Sequence, residues 1–249
     1  MNVKWISHRG ESADAPENTL AAFKLSLERK TDGMECDVHL TKDHVVVTAH
    51  DYNTARMGDL VKRIDQSTFA ELAEVNVSGS KINFPKERIP TFASTFQFLG
   101  KDREYYVELK SGCPALVPAV QKVLAESGVP CRQIVIISFD KELLALSKKS
   151  MPEVRTLWLT GFSRENGKAH PDADELIATL RELDADGVDA FCDEDVIDAE
   201  YVRKVRGAGF LFAVWTVNHP GQARRFIEMG VDSITSDCAA ALRDILTPR

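Results

Sequence analysis

The feature that most constrains this chain is a rhythm. Short apolar runs alternate with amphipathic segments from one end to the other. Residues 3–7, 33–40, 105–109, 134–137, 155–159, 187–191, 210–216 and 231–235 read as strands. Residues 18–29, 115–127, 141–149, 172–183, 199–206, 222–229 and 239–246 read as helices. In the first of these helices Leu20, Phe23 and Leu27 form one stripe, with Pro16 just ahead. Strict alternation implies parallel pairing, because each right-handed crossover returns the chain to the same end of the sheet. Eight such units closing on themselves make an α/β fold of the TIM (β/α)8 barrel type. The competing arrangement, an open doubly wound sheet, carries a glycine-rich phosphate loop after its first strand, and none follows residue 7 here.

The rhythm breaks once, over residues 52–90. Thr68 with Glu71 has the spacing of a capping box for a short helix. Ser78-Gly79-Ser80 marks a loop, and residues 45–48 form a short extra strand just before the break. Long insertions after a barrel strand cover the active-site rim. The expected organisation is one domain over residues 1–249, with a small cap insertion at about residues 52–90.

Composition narrows the functional classes. A net charge of −7 leaves no footprint for nucleic acid or an anionic membrane, so an anionic ligand needs a local cluster of cations or a metal. The five cysteines are odd in number and lack CxxC spacing, which argues against disulfides and structural zinc and for mostly buried apolar cysteines. Residues 1–6 run directly into His8 with no leader-like segment, and no apolar run reaches the length of a membrane span. The expectation is a cytoplasmic protein without stable membrane association; its oligomeric state is left open.

Polar residues gather where the strands end. His8 and Arg9 close the first strand, Glu35 and Asp37 lie on the second, His50 and Asp51 follow, and Glu108 and Lys110 close the third. In a barrel these ends converge on one rim. Glu35 and Asp37 are two apart and point the same way, as do Glu108 and Lys110. Three inward carboxylates with only oxygen donors suit a hard divalent cation, Mg²⁺ or Ca²⁺, better than zinc. The competing reading is a buried ion-pair network of Glu35 and Glu108 with Arg9 and Lys110. Two histidines beside such a cluster favour the metal reading. His8 and His50 can flank a reacting phosphorus as general acid and base, with Arg9 and Lys110 on the phosphate oxygens.

The runs HRGESADAPENTLAAF from His8, MECDVHLTKD from Met34, HD at His50, VELKS from Val107, ISFD from Ile137, WTVN from Trp215 and ITSD from Ile234 resemble the glycerophosphodiester phosphodiesterases over nearly the whole chain. The resemblance implies a TIM barrel that uses a divalent cation to cleave small glycerophosphodiesters into glycerol 3-phosphate and an alcohol. It implies Glu35, Asp37 and Glu108 as metal ligands, His8 and His50 as acid and base, and Arg9 and Lys110 as phosphate-binding residues. Glu17 and Asn18 would support these groups, and Trp215 would form part of the substrate wall. Residues 52–58, Tyr-Asn-Thr-Ala-Arg-Met-Gly, depart from the family's leucine and Arg-Thr-Thr run and leave the alcohol head group open.

Two supporting residues have simpler readings: Asn18 as a helix cap and Trp215 as barrel filling. Asn218 reads as a loop or cap residue, and His39, His44, His170 and His219 as residues of solvated loops or helix ends. The competing functions are a lysophospholipase D-like enzyme on the same barrel, a phosphate-binding module on a dead barrel, and a phospholipase C-like lyase. The first needs an apolar entrance, whereas Phe69, Phe84 and Phe92 of the insertion stand among charged residues and read as local core. The second would have lost a metal ligand or a histidine, and all are present.

Overall fold

The structure, a computed structural model, describes residues 3–84 and 86–246. Met1 and Asn2 lie outside the described residues, as do residues 85 and 247–249.

The strands are β1 (Lys4–Ser7), β2 (Gly33–Leu40), β3 (Val46–Thr48), β4 (Glu104–Leu109), β5 (Ile134–Ser138), β6 (Arg155–Thr160), β7 (Ser163–Glu165), β8 (Lys168–His170), β9 (Gly187–Phe191), β10 (Leu211–Trp215) and β11 (Ser233–Ser236). The helices are α1 (Leu20–Glu28), α2 (Phe69–Leu72), α3 (Phe92–Thr95), α4 (Leu116–Ser127), α5 (Lys141–Ser150), α6 (Ala173–Glu182), α7 (Ala199–Gly207), α8 (Pro220–Met229) and α9 (Ala239–Leu246). Eight strands pair in parallel in the order β1-β11-β10-β9-β6-β5-β4-β2, and β1 also pairs with β2, which closes the barrel. Only β3 is antiparallel within this sheet, folded back on the end of β2.

Alternation along each strand divides the core in two. On β2, Met34, Cys36 and Val38 pack outward against the helices with Trp5, Phe23 and Phe212. The opposite face of the strands fills the barrel with Ile6, Tyr106, Val135, Ile137, Leu157, Leu159 and Ala213. Strands buried on both faces explain why the runs read as continuously apolar. Local chemistry fixes the helix ends. Asp140 caps α5, Asp172 and Glu175 form a capping box on α6, and Gly230 (φ 84°) ends α8 in the left-handed conformation.

Several expectations shift. Helix α1 starts at Leu20, with Thr19 as its cap, so Asn18 is not the capping residue. The last strand starts at Ser233 rather than residue 231, because the Val231 N–H still bonds back to Phe226 of α8. The exposed hairpin β7-β8 was not anticipated, since its residues are polar on both faces. Its turn, Asn166-Gly167, has positive φ at both positions and is the sequence signal of a tight hairpin. Only Cys36 and Cys192 of the five cysteines are buried.

The insertion carries its own small core, in which Ile64, Leu72, Val75, Val77 and Ile89 pack with Val47 of β3 and Phe69 lies against them. Thr68 and Glu71 form the expected capping box on α2. Phe92, read as local core of the insertion, instead joins the main core.

At the opposite end from the strand-end carboxylates, Arg103 is buried and donates to the backbone oxygens of Thr31 (2.8 Å), Phe98 (2.9 Å) and Leu99 (2.9 Å) and to Ser26 Oγ (2.6 Å). Its planar fork ties the end of α1 to the start of β4. Arg103→Ala is expected to cost about 3 kcal/mol or more of unfolding free energy in urea denaturation, with little rescue by Arg103→Lys, because three buried acceptors and one part-buried one lose this donor.

Candidate active site

The site stands at the carboxyl ends of β1, β2 and β4. Asp37 and Glu108 are register partners across β2 and β4, so their carboxylates rise side by side from adjacent strands. Glu35 is one inward position deeper. Oxygens of Glu35, Asp37 and Glu108 lie within 4.8 Å of one another, the grouping of acidic side chains that can hold a metal among the described residues.

Two cations stand against this charge. Lys110 Nζ is 2.7 Å from Glu108 Oε1 and 2.9 Å from Asp37 Oδ1. Arg9 Nε is 3.2 Å from Asp37 Oδ2, and its Nη1 donates to Glu17 at 2.9 Å. The backbone N–H of Arg9 donates to Glu35 Oε2 at 2.8 Å. That contact depends on a left-handed turn at Arg9 and Gly10 (φ 53° and 77°). A Cβ on Gly10 would come within 2.5 Å of the Ala22 backbone, so glycine lets α1 close against the turn.

Asn18 completes the set from an unexpected direction. Its side chain donates to Asp37 Oδ2 (2.8 Å) and accepts from the Asp37 backbone N–H (3.2 Å), while its own carbonyl takes the Thr48 hydroxyl (2.8 Å). Its left-handed backbone (φ 57°) aims the amide back at the strand.

The carboxyls respond differently to these neighbours. Burial, then the adjacent Asp37 charge, pushes Glu35 well above the carboxylate range. The same two causes raise Glu108 to about 7. Burial opposes ionisation of Asp37 as well, but Lys110 and Arg9 together outweigh it and hold the group far below the usual range.

Both histidines are oriented by a carboxylate on Nδ1. His8 Nδ1 lies 2.6 Å from Asp237 Oδ1, and its Nε2 is 4.0 Å from Glu35 Oε2. His50 Nδ1 lies 2.7 Å from Asp51 Oδ1. Asp237 is held at about 2: burial opposes the shift, and bonds from His8, Asn218 and Ser12 prevail. His50 is lowered chiefly by burial; Asp37 and Asp51 oppose the shift, and the Lys110 and Arg9 charges add to it.

The two carboxylates are fixed in turn. Asn218 Nδ2 donates to Asp237 at 2.6 Å, while Asn218 Oδ1 accepts from the Ser236 hydroxyl and the Asp237 N–H, both at 3.0 Å. Asn218 is therefore part of the His8 support rather than a plain loop residue. Arg56 donates to Asp51 (2.7 Å) and forks onto Glu17 (2.8 and 2.7 Å), tying the start of the insertion to the Arg9 partner. His39, expected on a solvated loop, is buried on β2 and lies 3.3 Å from the His50 carbonyl. Burial lowers it to about 4.

His8, Arg9, Glu35, His50, Glu108 and Trp215 all line one cavity of about 70 Å³ at the barrel mouth. Lys110 lines the adjoining opening with Tyr52 and Arg56, so the insertion flanks the site. Trp215 stands at the end of β10 and donates Nε1 to the Asp189 carbonyl at 3.1 Å. Phe139 and Phe191, each 45% exposed, meet it edge-on with ring centroids 5.5 and 5.7 Å away. Of the eight residues singled out by sequence, six thus line this cavity, Lys110 lines the adjoining opening, and Asp37 lies behind them in contact with Lys110 and Arg9. Sequence reasoning missed the roles of Asp237, Asn218, Arg56 and Asp189. Asp189 had a usable signal, a lone acid in the middle of the apolar strand β9.

The sequence profile of the glycerophosphoryl diester phosphodiesterase family matches residues 8–241. A glycerophosphodiester phosphodiesterase of Caldanaerobacter subterraneus subsp. tengcongensis is 32% identical over 95% of this chain and 95% of its own. One of Bacillus subtilis is 27% identical over 92% of this chain and 81% of its own. Among solved structures, an Oleispira antarctica phosphodiesterase in complex with the product sn-glycerol-3-phosphate superposes with a TM-score of 0.83 at 24% identity, covering 96% of this chain and 94% of that one. A glycerophosphodiester phosphodiesterase from Parabacteroides distasonis gives 0.78 at 26%, covering 98% and 97%. A barrel whose strand ends gather these carboxylates and histidines, matched by the family profile almost throughout, makes this chain a member of the glycerophosphoryl diester phosphodiesterase family.

Proposed function

We propose that the protein hydrolyses small glycerophosphodiesters to glycerol 3-phosphate and an alcohol, and that residues 1–249 form one catalytic domain with residues 52–90 as its cap. The observation that carries the reading is the three-carboxylate cluster at the mouth of a cavity that His8 and His50 also line.

The residues present fit a hard divalent cation. All the donors are oxygens within 4.8 Å of one another, and buried Glu35 is bonded by the Arg9 backbone N–H rather than by a cationic side chain. Glu35, Asp37 and Glu108 would hold Mg²⁺ or Ca²⁺, which when bound supplies positive charge to offset charge building on the phosphoryl oxygens.

The rest is the work of the chain's own groups. Arg9 and Lys110 bring two further cations to the site and bind the phosphodiester anion. His50 is lowered and therefore neutral near pH 7, which suits it to accept the proton of the attacking hydroxyl, whether water or a substrate hydroxyl. His8 offers Nε2 to the leaving alkoxide while Asp237 on Nδ1 stabilises the imidazolium. Trp215 walls one side of the cavity.

His8→Ala and His50→Ala are each expected to lower kcat for glycerophosphocholine roughly 10²- to 10⁴-fold with the circular dichroism spectrum unchanged. Near wild-type turnover by either variant would remove the acid–base assignment. Chelation with EDTA is expected to abolish turnover and Mg²⁺ or Ca²⁺ to restore it. Faster cleavage of lysophosphatidylcholine than of glycerophosphocholine would move the reading to a lysophospholipase D-like enzyme.

Cation binding should also release protons. Glu108 keeps its proton up to about pH 7 without an ion, and Glu35 is raised too, so a cation competes with protons at both. Affinity is expected to fall as pH drops below about 7. Calorimetric titration near pH 6 in buffers of different ionisation enthalpy should register proton release, and buffer-independent heats would contradict it.

A further inference from the structure

The barrel floor beneath the proposed reaction centre holds two polar groups that the mechanism does not use. Asp189 sits on β9 in register with Leu159 on one side and Ala213 on the other, and both neighbours belong to the barrel interior. Its side chain therefore points inward. It is 1% exposed, and its Oδ1 has no hydrogen-bond partner among the described residues. Thr235 on β11, opposite Ile6, is likewise 1% exposed, with an unpartnered Oγ1. Both residues line the cavity that contains His8, Arg9 and Trp215. Buried polar atoms without partners are rare in native proteins, and those that face a cavity await a ligand group or water.

Three features show what belongs there. On β10 the residue in register with both Asp189 and Ser233 is the small Ala213, and Thr235 stands one inward position beyond Ser233, so the acid and the hydroxyl face the same cavity from strands either side of β10. Asp189 is not part of the grouping of Glu35, Asp37 and Glu108, so it is not an extra ligand of that site. The cationic groups stand higher, at the strand ends, and the exposed edges of Phe139 and Phe191 open outward from Trp215. An anionic phosphodiester held at the strand ends therefore sends its bulky alcohol outward and its small end down to the floor.

We infer that Asp189 and Thr235 form a hydroxyl-recognition subsite that selects a glycerol-type polyol at the inner end of the substrate. The carboxyl and the threonine hydroxyl between them accept and donate hydrogen bonds to a terminal hydroxyl. A substrate lacking that hydroxyl leaves both groups buried and unpaired, which is how a site built for a hydroxyl rejects its deoxy analogue. This deepens the proposed function and rests on it for the orientation of the substrate. Asp189 and Thr235 are specificity-determining residues here and do not touch the reacting atoms.

The test is calorimetric binding of sn-glycerol 3-phosphate and of propyl phosphate, which carries no hydroxyl, to the Mg²⁺- or Ca²⁺-loaded protein. The wild type is expected to prefer glycerol 3-phosphate by at least about tenfold. Asp189→Ala and Thr235→Val should each shrink that preference several-fold by weakening glycerol 3-phosphate alone. Thr235→Val keeps the side-chain shape, so the comparison stands if Asp189→Ala does not fold. Equal wild-type affinity for the two ligands, or variants that keep the full preference, would overturn the subsite. Binding is read without turnover. A protein that cleaves no glycerophosphodiester yet shows the preference and its loss supports the subsite while removing the proposed reaction. A protein that cleaves them without any preference does the reverse.

Discussion

Three carboxylates share one small space at the mouth of the barrel, and the rest of the site is arranged around that repulsion. Buried like charges are costly unless cations or a bound ion offset them. Here the offset within the chain is incomplete. Lys110 and Arg9 hold Asp37 ionised, but Glu35 and Glu108 are pushed up, so the ion-free protein keeps protons where a divalent cation would put charge. The β2–β4 register sets this up. Asp37 opposite Glu108 puts two acids side by side, and a one-residue slip of β2 would turn Glu35 and Asp37 toward the helices and leave Glu108 alone. A pure ion-pair network, the competing reading of these residues, would pair every acid; Lys110 and Arg9 reach Asp37 and Lys110 reaches Glu108, whereas Glu35 has the Arg9 backbone N–H and, among the described residues, no guanidinium or ammonium within hydrogen-bond reach.

The histidines follow the same logic one layer out. Each has Nδ1 committed to a carboxylate, which leaves Nε2 as the nitrogen for the proposed proton transfer. Their settings differ. The Asp237 partner of His8 is braced by Asn218 and Ser12, while the Asp51 partner of His50 is braced by Arg56 from the start of the insertion. Through Arg56 and Glu17 the insertion is tied by ion pairs to Arg9 as well. The segment that departs from the family pattern thus braces Asp51 and Glu17 of the candidate site in addition to flanking the opening.

Much of this was legible in the sequence because a parallel barrel turns periodicity into geometry. Eight apolar runs placed their ends on one rim, so residues far apart in sequence, such as His8 and Glu108, had to meet. Glu35 and Asp37 were legible because a spacing of two puts side chains on one face. What was not legible depended on contacts that spacing does not encode. Asn18 reads as a helix cap because asparagine favours caps, yet a left-handed backbone turns it onto Asp37. His39 reads as a loop residue because it is polar, whereas it continues the inward face of β2 and is buried against His50. Asn218 reads as a loop residue because spacing does not show its side chain reaching across to Asp237 at the end of the next strand. The β7-β8 hairpin escaped because it has no apolar face, although its Asn-Gly turn was in plain view.

The central claim is that Glu35, Asp37 and Glu108 hold a single hard cation that the reaction requires. The most direct measurement is a crystal structure of the active protein grown with Mn²⁺, with anomalous differences recorded. The account expects one anomalous peak bounded by those three carboxylates, absent in Asp37→Asn together with turnover. No peak at the cluster in crystals of a protein that still hydrolyses its substrate would contradict it.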